Sequence, residues 1–284
     1  MGYKMKKTVL FTGGLGNQLF QFAFVLYLKT IFCDDEICFN KSSYIKHSQH
    51  SGFEANKFFD FSGVSEDTKD YYTFSYRLIR KLNRKLRAKN REIYFANDRN
   101  FSESKKFKVY ESFWQNVKYY ETVKDELKIR FVGVDSLCAN TELAQLIKQN
   151  ESVYIHIRRG DYCNNPAYFD LSKTSYYEKA IRLIREKITN PRFFVFSDDI
   201  EWCKTYFQDQ EDFVYVKYEN QSALSDLALM LMCKNSIIAN SSFSWWGSAL
   251  DTKDIVICPN VYFTFREAEN LHPDSWIAID CVQD

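Results

Sequence analysis

The chain has 284 residues with 45% hydrophobic, 26% charged and 17% aromatic content, a composition that excludes a largely disordered protein and provides for a sizeable core. Its formal net charge of +1 excludes a global preference for nucleic acid, so any electrostatic function must come from local clusters of charge. The aromatic content is high, which suits core packing and sugar binding alike.

Eight cysteines are scattered along the chain without a CxxC pair, which argues against a zinc site and favours free thiols in a reducing compartment. Near the N-terminus Lys4, Lys6 and Lys7 precede apolar residues, as in a signal peptide, but glycines and side-chain amides interrupt the run. The apolar stretch from Leu19 to Leu28 is shorter than the roughly 20 residues that cross a bilayer. We therefore expect a cytoplasmic protein, soluble or peripheral on the inner face of the membrane.

The beginning of the chain predicts a strand, a helix and a second strand. Residues 8–12 are predicted as a buried strand that ends in a glycine cluster, 17–32 as a helix and 36–40 as the next strand. This order is typical of the first unit of a parallel α/β sheet.

One basic amphipathic helix stands out between residues 42 and 140, where the pattern is otherwise weak. Its predicted apolar face consists of Tyr76, Ile79, Leu82 and Leu86. The strongest run of basic residues in the chain lies in the same segment, 77–91. Such a run is typical of a solvated helical face and equally of a helix that contacts an anionic membrane surface.

From residue 152 onward, strands and helices alternate at the spacing of parallel βαβ units. Strands are predicted over 153–157, 193–196, 213–216, 236–239 and 254–258, and helices over 175–189, 201–207, 223–234 and 244–250. A boundary near residue 145 would give two α/β domains, 1–145 and 146–284. Ligands of such sheets bind beyond the carboxyl ends of the strands, so the residues that follow each strand are the functional candidates.

The segment HIRRGDY, from His156 to Tyr162, follows a predicted strand directly. Arg158 and Arg159 supply planar cations that can bind phosphate oxygens in bidentate fashion. Gly160 permits a tight turn, and Asp161 can orient an arginine or cap the next segment. The alternative is an ion-pair cluster on the surface.

The segment GGLGNQLFQ, from Gly13 to Gln21, joins the first strand to the first helix. Glycines such as Gly14 let a ligand approach the backbone, and a helix N-terminus attracts anions. Asn17 and Gln18 add amide groups there. A tight turn between strand and helix also needs glycines, and the segment is neither a P-loop nor a GxGxxG motif.

Two further polar segments follow strands in the second half. FSDDIEWCK contains Asp198 and Asp199, at least one of which is expected to cap the next helix. ANSSFSWWGSAL places Ser241, Ser242 and Phe243 at a helix start, where hydroxyl and N–H groups can bind phosphate.

Asp226 is the only acid in an otherwise apolar helix. A carboxylate can accept from the two adjacent N–H groups of a guanine edge. The alternative is a helix acid that faces solvent.

In this order, GGLGNQLFQ, FWQNVKYY (from Phe113), HIRRGDY, FSDDIEWCK and NSSFSWW resemble the alpha-1,2-fucosyltransferase family, and the match runs from Lys7 to about Ile279. The resemblance implies a GT-B-like α/β fold with two Rossmann-like halves that face a central cleft. It places GDP-fucose in the C-terminal half and the acceptor between the halves, with the N-terminal half as the acceptor side.

The resemblance also implies roles for individual residues. The donor GDP-fucose would contact Gly14, His156, Arg158, Arg159, Asp198, Asp226, Ser241, Ser242 and Phe243. Trp114 and Gln115 would contact the acceptor, a β-galactoside oligosaccharide or a lipid-linked glycan. Arg158, Asn17 and Asp161 would serve catalysis, with Asn17 as an orienting group and Asp161 as a candidate base. Downstream, the Pro259 segment departs from the family pattern.

The expected reaction is inverting transfer of fucose from GDP-fucose to the 2-hydroxyl of a terminal β-galactoside. No DxD motif is present, so we expect no metal cofactor, and Arg158 would stabilise the leaving diphosphate. Asp198 and Asp199 form the one acidic pair at a suitable strand end. The alternatives are a fucosyltransferase of other linkage, O-fucosyl or α-1,6, and a non-catalytic nucleotide-sugar-binding protein.

Overall fold

The computed structural model describes residues 4–46, 52–87, 95–96, 98, 101, 103, 107–138, 140–160, 162–163, 165–208, 210–264, 266–267 and 270–281. The chain divides into two compact units, 1–131 and 132–284. The sequence predicted a boundary near residue 145, but the helix over Thr141–Lys148 packs against a strand and a helix of the second unit, and its apolar face belongs to that core.

The first unit contains a parallel sheet of five strands in the order β3-β2-β1-β5-β4. Its strands are β1 Lys6–Leu10, β2 Glu36–Asn40, β3 Ser65–Glu66, β4 Phe95–Ala96 and β5 Val109–Tyr110. Its helices are α1 Leu15–Ile31, α2 Ser42–Lys46, α3 Ala55–Phe58, α4 Phe74–Arg87 and α5 Val117–Arg130. Every residue of α1 from Gln18 to Leu28 is buried, as expected of a helix that is apolar on nearly all sides.

Helix α4 is the predicted basic amphipathic helix, but its apolar residues are divided between two faces. Tyr76 and Ile79 pack against the core cluster that includes Leu10 and Val109. Leu82 was predicted on the same face, and this is wrong because its side chain is 51% exposed. Its spacing of four residues from Leu78 places both on the outer face of the helix.

The second unit contains a parallel sheet of six strands in the order β13-β10-β9-β6-β7-β8. Its strands are β6 Glu151–Ile157, β7 Pro191–Ser197, β8 Phe213–Tyr215, β9 Asn235–Ile237, β10 Val256–Pro259 and β13 Ile277–Ile279. A separate antiparallel pair consists of β11 Val261–Phe263 and β12 Arg266–Glu267. Its helices are α6 Thr141–Lys148, α7 Tyr176–Lys187, α8 Ile200–Phe207, α9 Ala223–Met232 and α10 Ser242–Ala249. The alternation predicted from the sequence is therefore confirmed.

The central strands β6 and β7 pair in register over seven residues, from Glu151 opposite Pro191 to Ile157 opposite Ser197. Both are buried over most of their length, as strands covered on two faces must be. In the part of the chain that the structure describes, no helix has the length and apolar character to span a bilayer. All eight cysteines are free thiols.

Candidate functional site

The carboxyl edge of the second sheet collects most of the predicted site residues. Because β6, β7 and β9 are parallel neighbours, the segments that follow them start at one edge. Those segments carry Arg158 and Arg159, Asp198 and Asp199, and Ser241.

Arg158 and Asp198 form an ion pair across the exits of β6 and β7. Nη1 of Arg158 lies 3.0 Å from Oδ2 of Asp198, and the Arg158 guanidinium also lies over the ring of Tyr162, 5.6 Å from its centroid. About a third of the Arg158 side chain is exposed. The arginine is therefore oriented by its neighbours while part of its side chain faces solvent.

A glycine is needed at residue 160 because the side chain of Asp198 lies against it, and not because the backbone is left-handed. Its φ angle is not positive, but a Cβ atom at this position would lie 2.7 Å from Oδ2 of Asp198. Any side chain at residue 160 would displace the carboxylate that holds Arg158. The sequence motif predicted only a tight turn at this glycine.

Arg159 differs from Arg158 in that its side chain is enclosed by protein groups. Its Nε lies 3.1 Å from Oδ2 of Asp199, its Nη1 donates to Ser172 Oγ at 2.9 Å, and its guanidinium stacks 3.9 Å above the ring of Trp202. Only 19% of the side chain is exposed. These contacts make Arg159 a structural support of the strand exit. Ser172 and Trp202 could not be predicted as its partners, because only the fold brings them close to Arg159.

Asp199 is the N-cap of α8, as expected of one member of the acidic pair. Its Oδ1 accepts a 3.2 Å hydrogen bond from the backbone N–H of Trp202. Both acids of the pair are thus balanced by arginines, Asp198 by Arg158 and Asp199 by Arg159. Among the described residues, no group of three or more His, Cys, Asp or Glu side chains is placed to hold a metal ion.

His156 is buried at the end of β6 and remains neutral. Burial, together with the nearby Arg158 cation, lowers the pKa of His156 to about 3. Its ring lies 5.6 Å from that of Phe243, which connects the end of β6 to the first turn of α10. Within the described part of the chain, Nδ1 of His156 is buried and has no hydrogen-bond partner.

The first turn of α10 is held by its N-cap and by the core beneath it. Ser241 caps the helix by accepting from the Phe243 N–H at 3.3 Å. Below the turn, the Tyr154 hydroxyl donates to the Ser244 carbonyl oxygen at 2.6 Å. The first turn of α10, which begins at Ser242, is therefore fixed in place, and a helix start suits an anionic ligand.

Asp226 lies in the first turn of α9 within its own hydrogen-bond network. Both of its oxygens accept from the Gln221 side-chain amide, at 2.9 and 3.0 Å, and Oδ1 also accepts from the Tyr218 hydroxyl at 3.0 Å. Burial raises the pKa of Asp226, and these hydrogen bonds partly offset the effect. The structure describes no contact between Asp226 and the arginine cluster.

In the first unit, Gly14 and Asn17 form the predicted turn at the start of α1. Gly14 is the N-cap residue, and its carbonyl accepts from the Asn17 N–H at 3.0 Å. Oδ1 of Asn17 accepts a 2.7 Å hydrogen bond from Nε2 of Gln115, which follows β5. Two residues predicted for different roles, Asn17 and Gln115, are therefore direct neighbours.

Trp114 is not available as an acceptor contact. Its side chain is fully buried and stacks on Phe24 of α1, with ring centroids 3.8 Å apart and planes 3° apart. The expected sugar contact at Trp114 is corrected to a core role. Asp161, the predicted candidate base, lies outside the described residues.

A crystal structure of NodZ α-1,6-fucosyltransferase co-crystallized with GDP has the same fold, with a TM-score of 0.50 and 12% identity over 86% of this chain and 92% of that one. An α-1,2-colitosyltransferase of Escherichia coli is 32% identical over 283 residues, or 94% of this chain and 97% of the relative. The O-antigen biosynthesis glycosyltransferase WbnK of the same species is 30% identical over 302 residues, with 94% and 98% coverage.

Human galactoside α-(1,2)-fucosyltransferase 1 matches a shorter region, with 30% identity over 124 residues, 42% of this chain and 33% of that protein. The two parallel sheets and the likeness to NodZ show a fold of the GT-B class. More narrowly, the chain belongs to glycosyl transferase family 11, whose model matches residues 3–280. The predicted resemblance to the alpha-1,2-fucosyltransferase family and the predicted fold class are confirmed.

Proposed function

We propose that the protein transfers fucose from GDP-fucose to the 2-hydroxyl of a terminal β-galactoside and forms an α-1,2 linkage. The observation that carries the proposal is the position of Arg158 at the exit of β6, fixed by Asp198, in a chain of glycosyl transferase family 11. Relatives named as α-1,2-transferases, one of them a galactoside fucosyltransferase, support the linkage and the acceptor class.

The diphosphate of the donor is assigned to the surface between Arg158 and the first turn of α10. The ring contact of His156 with Phe243 connects these two elements. A guanidinium and backbone N–H groups are the donors that proteins use for phosphate oxygens. We also assign Ser241 and Ser242, at the start of α10, to the diphosphate.

The guanine is assigned to Asp226. A single exposed amide, that of Gln221, already occupies both of its carboxylate oxygens. The N1–H and N2–H groups of guanine could replace that amide with two parallel hydrogen bonds, while the Tyr218 contact holds the carboxylate in place.

In the proposed mechanism, the bond between fucose C1 and the diphosphate oxygen breaks as the acceptor hydroxyl attacks from the opposite face. A β-linked donor then gives an α-linked product. Negative charge grows on the departing GDP, so Arg158 stabilises the transition state more than the bound substrate. Gly14 and Asn17 are assigned to the reacting sugars, with Asn17 as an orienting group and Asp161 as the base that accepts the acceptor's proton.

We assign no metal ion to this reaction. Asp198 and Asp199 are each paired with an arginine, so a divalent cation would have to compete with two existing ion pairs. Arg158 and the N–H groups of α10 would carry the charge of the leaving group instead.

The deciding experiment incubates the purified protein with GDP-fucose and lactose. GDP release is followed in a coupled assay, and the linkage of the isolated trisaccharide is determined by NMR. An α-linked fucose on the galactose 2-oxygen is the expected product, absent in a parallel reaction with Arg158→Ala. A different linkage, or GDP binding without transfer to any β-galactoside, would reject the proposal in favour of the α-1,6, O-fucosyl or non-catalytic alternatives.

A second candidate keeps the linkage but changes the donor sugar. It is favoured by the 32% identity to an α-1,2-colitosyltransferase over nearly the full length of both chains. Competition between GDP-fucose and GDP-colitose for one acceptor gives the ratio of kcat/KM directly. A ratio that favours colitose would assign the chain to that donor.

We further assign peripheral membrane contact to α4 and the basic segment 77–91, which suits a lipid-linked glycan acceptor. The outer face of α4 exposes Phe74, Leu78 and Leu82, spaced four residues apart and thus aligned on one side of the helix. Exposed Arg77 and Lys81 lie on the same half of the helix. An apolar stripe beside cations is typical of helices that lie in an anionic lipid interface.

Co-sedimentation with phosphatidylglycerol vesicles at low salt tests this surface. Leu78→Gln combined with Leu82→Gln should reduce binding. Arg77→Gln combined with Lys81→Gln should reduce it most at low salt, where the attraction to the anionic surface is least screened. Lys124→Gln combined with Lys128→Gln, at two exposed positions of α5, is the matched control and should leave binding unchanged. Equal binding by all variants, or none by the wild type, would exclude a membrane role for α4.

A further inference from the structure

We propose that Phe113 forms an acceptor-sugar subsite at the carboxyl edge of the first sheet, together with Asn17 and Gln115. The subsite would take a hexopyranoside, with one face of the sugar ring on the phenyl ring and its hydroxyls at the amides. The inference rests on the proposed function because it assigns that enzyme's acceptor to named residues.

The parallel pairing of β1 and β5 brings two distant segments to one edge. Thr8 and Val9 lie opposite Val109 and Tyr110, so the turn after β1 and the segment after β5 leave the sheet side by side. Gln21 of α1 joins them, because its Oε1 accepts from the Thr12 N–H at 3.0 Å and its Nε2 donates to the Ser112 carbonyl at 3.1 Å.

The segment after β5 is held in an uncommon conformation that points Phe113 outward. Trp114 has a φ angle of 57°, a region that bulky residues rarely occupy. Stacking on Phe24 in the core keeps it there, and Gln115 is tied to Asn17. Backbone strain of this kind persists where the surrounding structure fixes it, commonly at ligand sites.

With its neighbours fixed, the ring of Phe113 is 41% exposed beside polar groups. A Cβ atom on Gly13 would lie 3.1 Å from Cε1 of Phe113 and 2.8 Å from Nδ2 of Asn17, so the ring and the amide flank the same glycine. Gly13 has a φ angle of 81°, and its lack of a side chain lets the ring and the amide approach it this closely.

This combination has the chemistry of a sugar site. A pyranose presents C–H groups on one face and hydroxyls around its edge. An exposed aromatic ring covers such a face, and side-chain amides can both donate to and accept from hydroxyls. Gln115 uses one N–H for Asn17, and an amide offers two N–H donors and an acceptor oxygen.

Steady-state kinetics of Phe113→Ala and Phe113→Trp test the proposal. Phe113→Ala should raise KM for lactose roughly three- to tenfold, the range of one aromatic contact, while KM for GDP-fucose stays unchanged. Phe113→Trp should keep the wild-type KM for lactose. Ile129→Ala, which shortens an exposed apolar side chain of α5, is the control and should change neither constant.

Saturation-transfer NMR with methyl β-galactoside in the presence of GDP separates this inference from the proposed function. Binding by the wild type that Phe113→Ala weakens supports the subsite even if no fucose is transferred. Transfer by the wild type with an unchanged lactose KM in Phe113→Ala overturns the subsite and leaves the proposed function intact. Equal loss of donor and acceptor affinity also overturns it, since the residue would then act through the fold.

Discussion

The carboxylate of Asp198 holds the side chain of Arg158 at the end of β6. One oxygen lies 3.0 Å from Nη1 of Arg158, and the other accepts a 2.9 Å hydrogen bond from the backbone N–H of Arg159. The two residues come from neighbouring strands, so the pair depends on the register of β6 and β7. Asp198 therefore holds Arg158, the more exposed of the two arginines in HIRRGDY, at the carboxyl edge of the second sheet.

Arg158→Ala and Arg158→Lys should both lower kcat/KM by about two orders of magnitude, because a planar, charge-assisted contact contributes roughly 3 kcal/mol in the transition state. The melting temperature should change little, since the side chain is partly exposed. Arg159→Lys is the comparison, and it should lower the melting temperature because it removes the contacts to Asp199, Ser172 and Trp202. Near-normal turnover in Arg158→Ala would remove Arg158 from the mechanism.

Gly160→Ala should lower activity through Asp198. The new methyl group would lie 2.7 Å from Oδ2 of Asp198 and force the carboxylate away from Arg158. In an Asp198→Ala background that clash is absent, so Gly160→Ala should cost much less stability than in the wild type. A double-mutant cycle by urea unfolding measures the coupling, and strictly additive free energies would contradict the steric explanation.

Asp226→Ala should weaken GDP binding by roughly 5- to 150-fold, the equivalent of an unpaired guanine edge that costs about 1–3 kcal/mol. Gln221→Ala should leave GDP affinity unchanged or increase it, because it removes the amide that occupies Asp226. Both affinities are measured by calorimetry. If Asp226→Ala bound GDP as the wild type does, the guanine contact would move elsewhere, with Asp198 as the next candidate.

Folding stability should fall as the pH is lowered from about 6.5 towards 4. The folded pKa of His156 is about 3 and that of His272 about 4, both lowered first by burial, whereas an unfolded histidine titrates near 6.5. Between these values the unfolded state binds more protons, so stability is present above pH 6.5 and is lost as the pH falls. Urea unfolding at pH 7.5, 6 and 5 measures the slope.

His156→Gln and His272→Gln should each make that slope shallower, and only the first should also reduce activity. A slope unaffected by both variants would mean that the histidines do not titrate differently on unfolding. The rate should show no transition from His156 near neutral pH, because its imidazole is already uncharged there.

Treatment with excess EDTA followed by desalting should leave the transfer rate nearly unchanged. Arg158 and the N–H groups of α10 would carry the leaving-group charge without a cation. A large loss of activity that Mn²⁺ or Mg²⁺ restores would recast Asp198 and Asp199 as metal ligands and require their ion pairs with Arg158 and Arg159 to open.

The order of the elements followed from local sequence pattern. Strand β2 covers the predicted residues 36–40, and α8 and α9 lie within one or two residues of their predicted bounds. Hydrophobic periodicity and capping residues act over a few positions, so a single sequence contains them. For the same reason, the motifs that follow β6, β7 and β9 could be placed at one edge of a parallel sheet, and the fold class and family resemblance could be predicted.

Only the tertiary structure decided which of those side chains are accessible and what each one contacts. The sequence assigned both Arg158 and Arg159 to the donor. It did not predict that Arg159 is enclosed, because Ser172 and Trp202 come from other parts of the fold. It also placed Trp114 at the acceptor, whereas the structure buries that ring on Phe24 and exposes Phe113. Neighbouring residues leave a strand in opposite directions, and which one faces the core is set by partners that are distant in sequence and brought close by strand pairing.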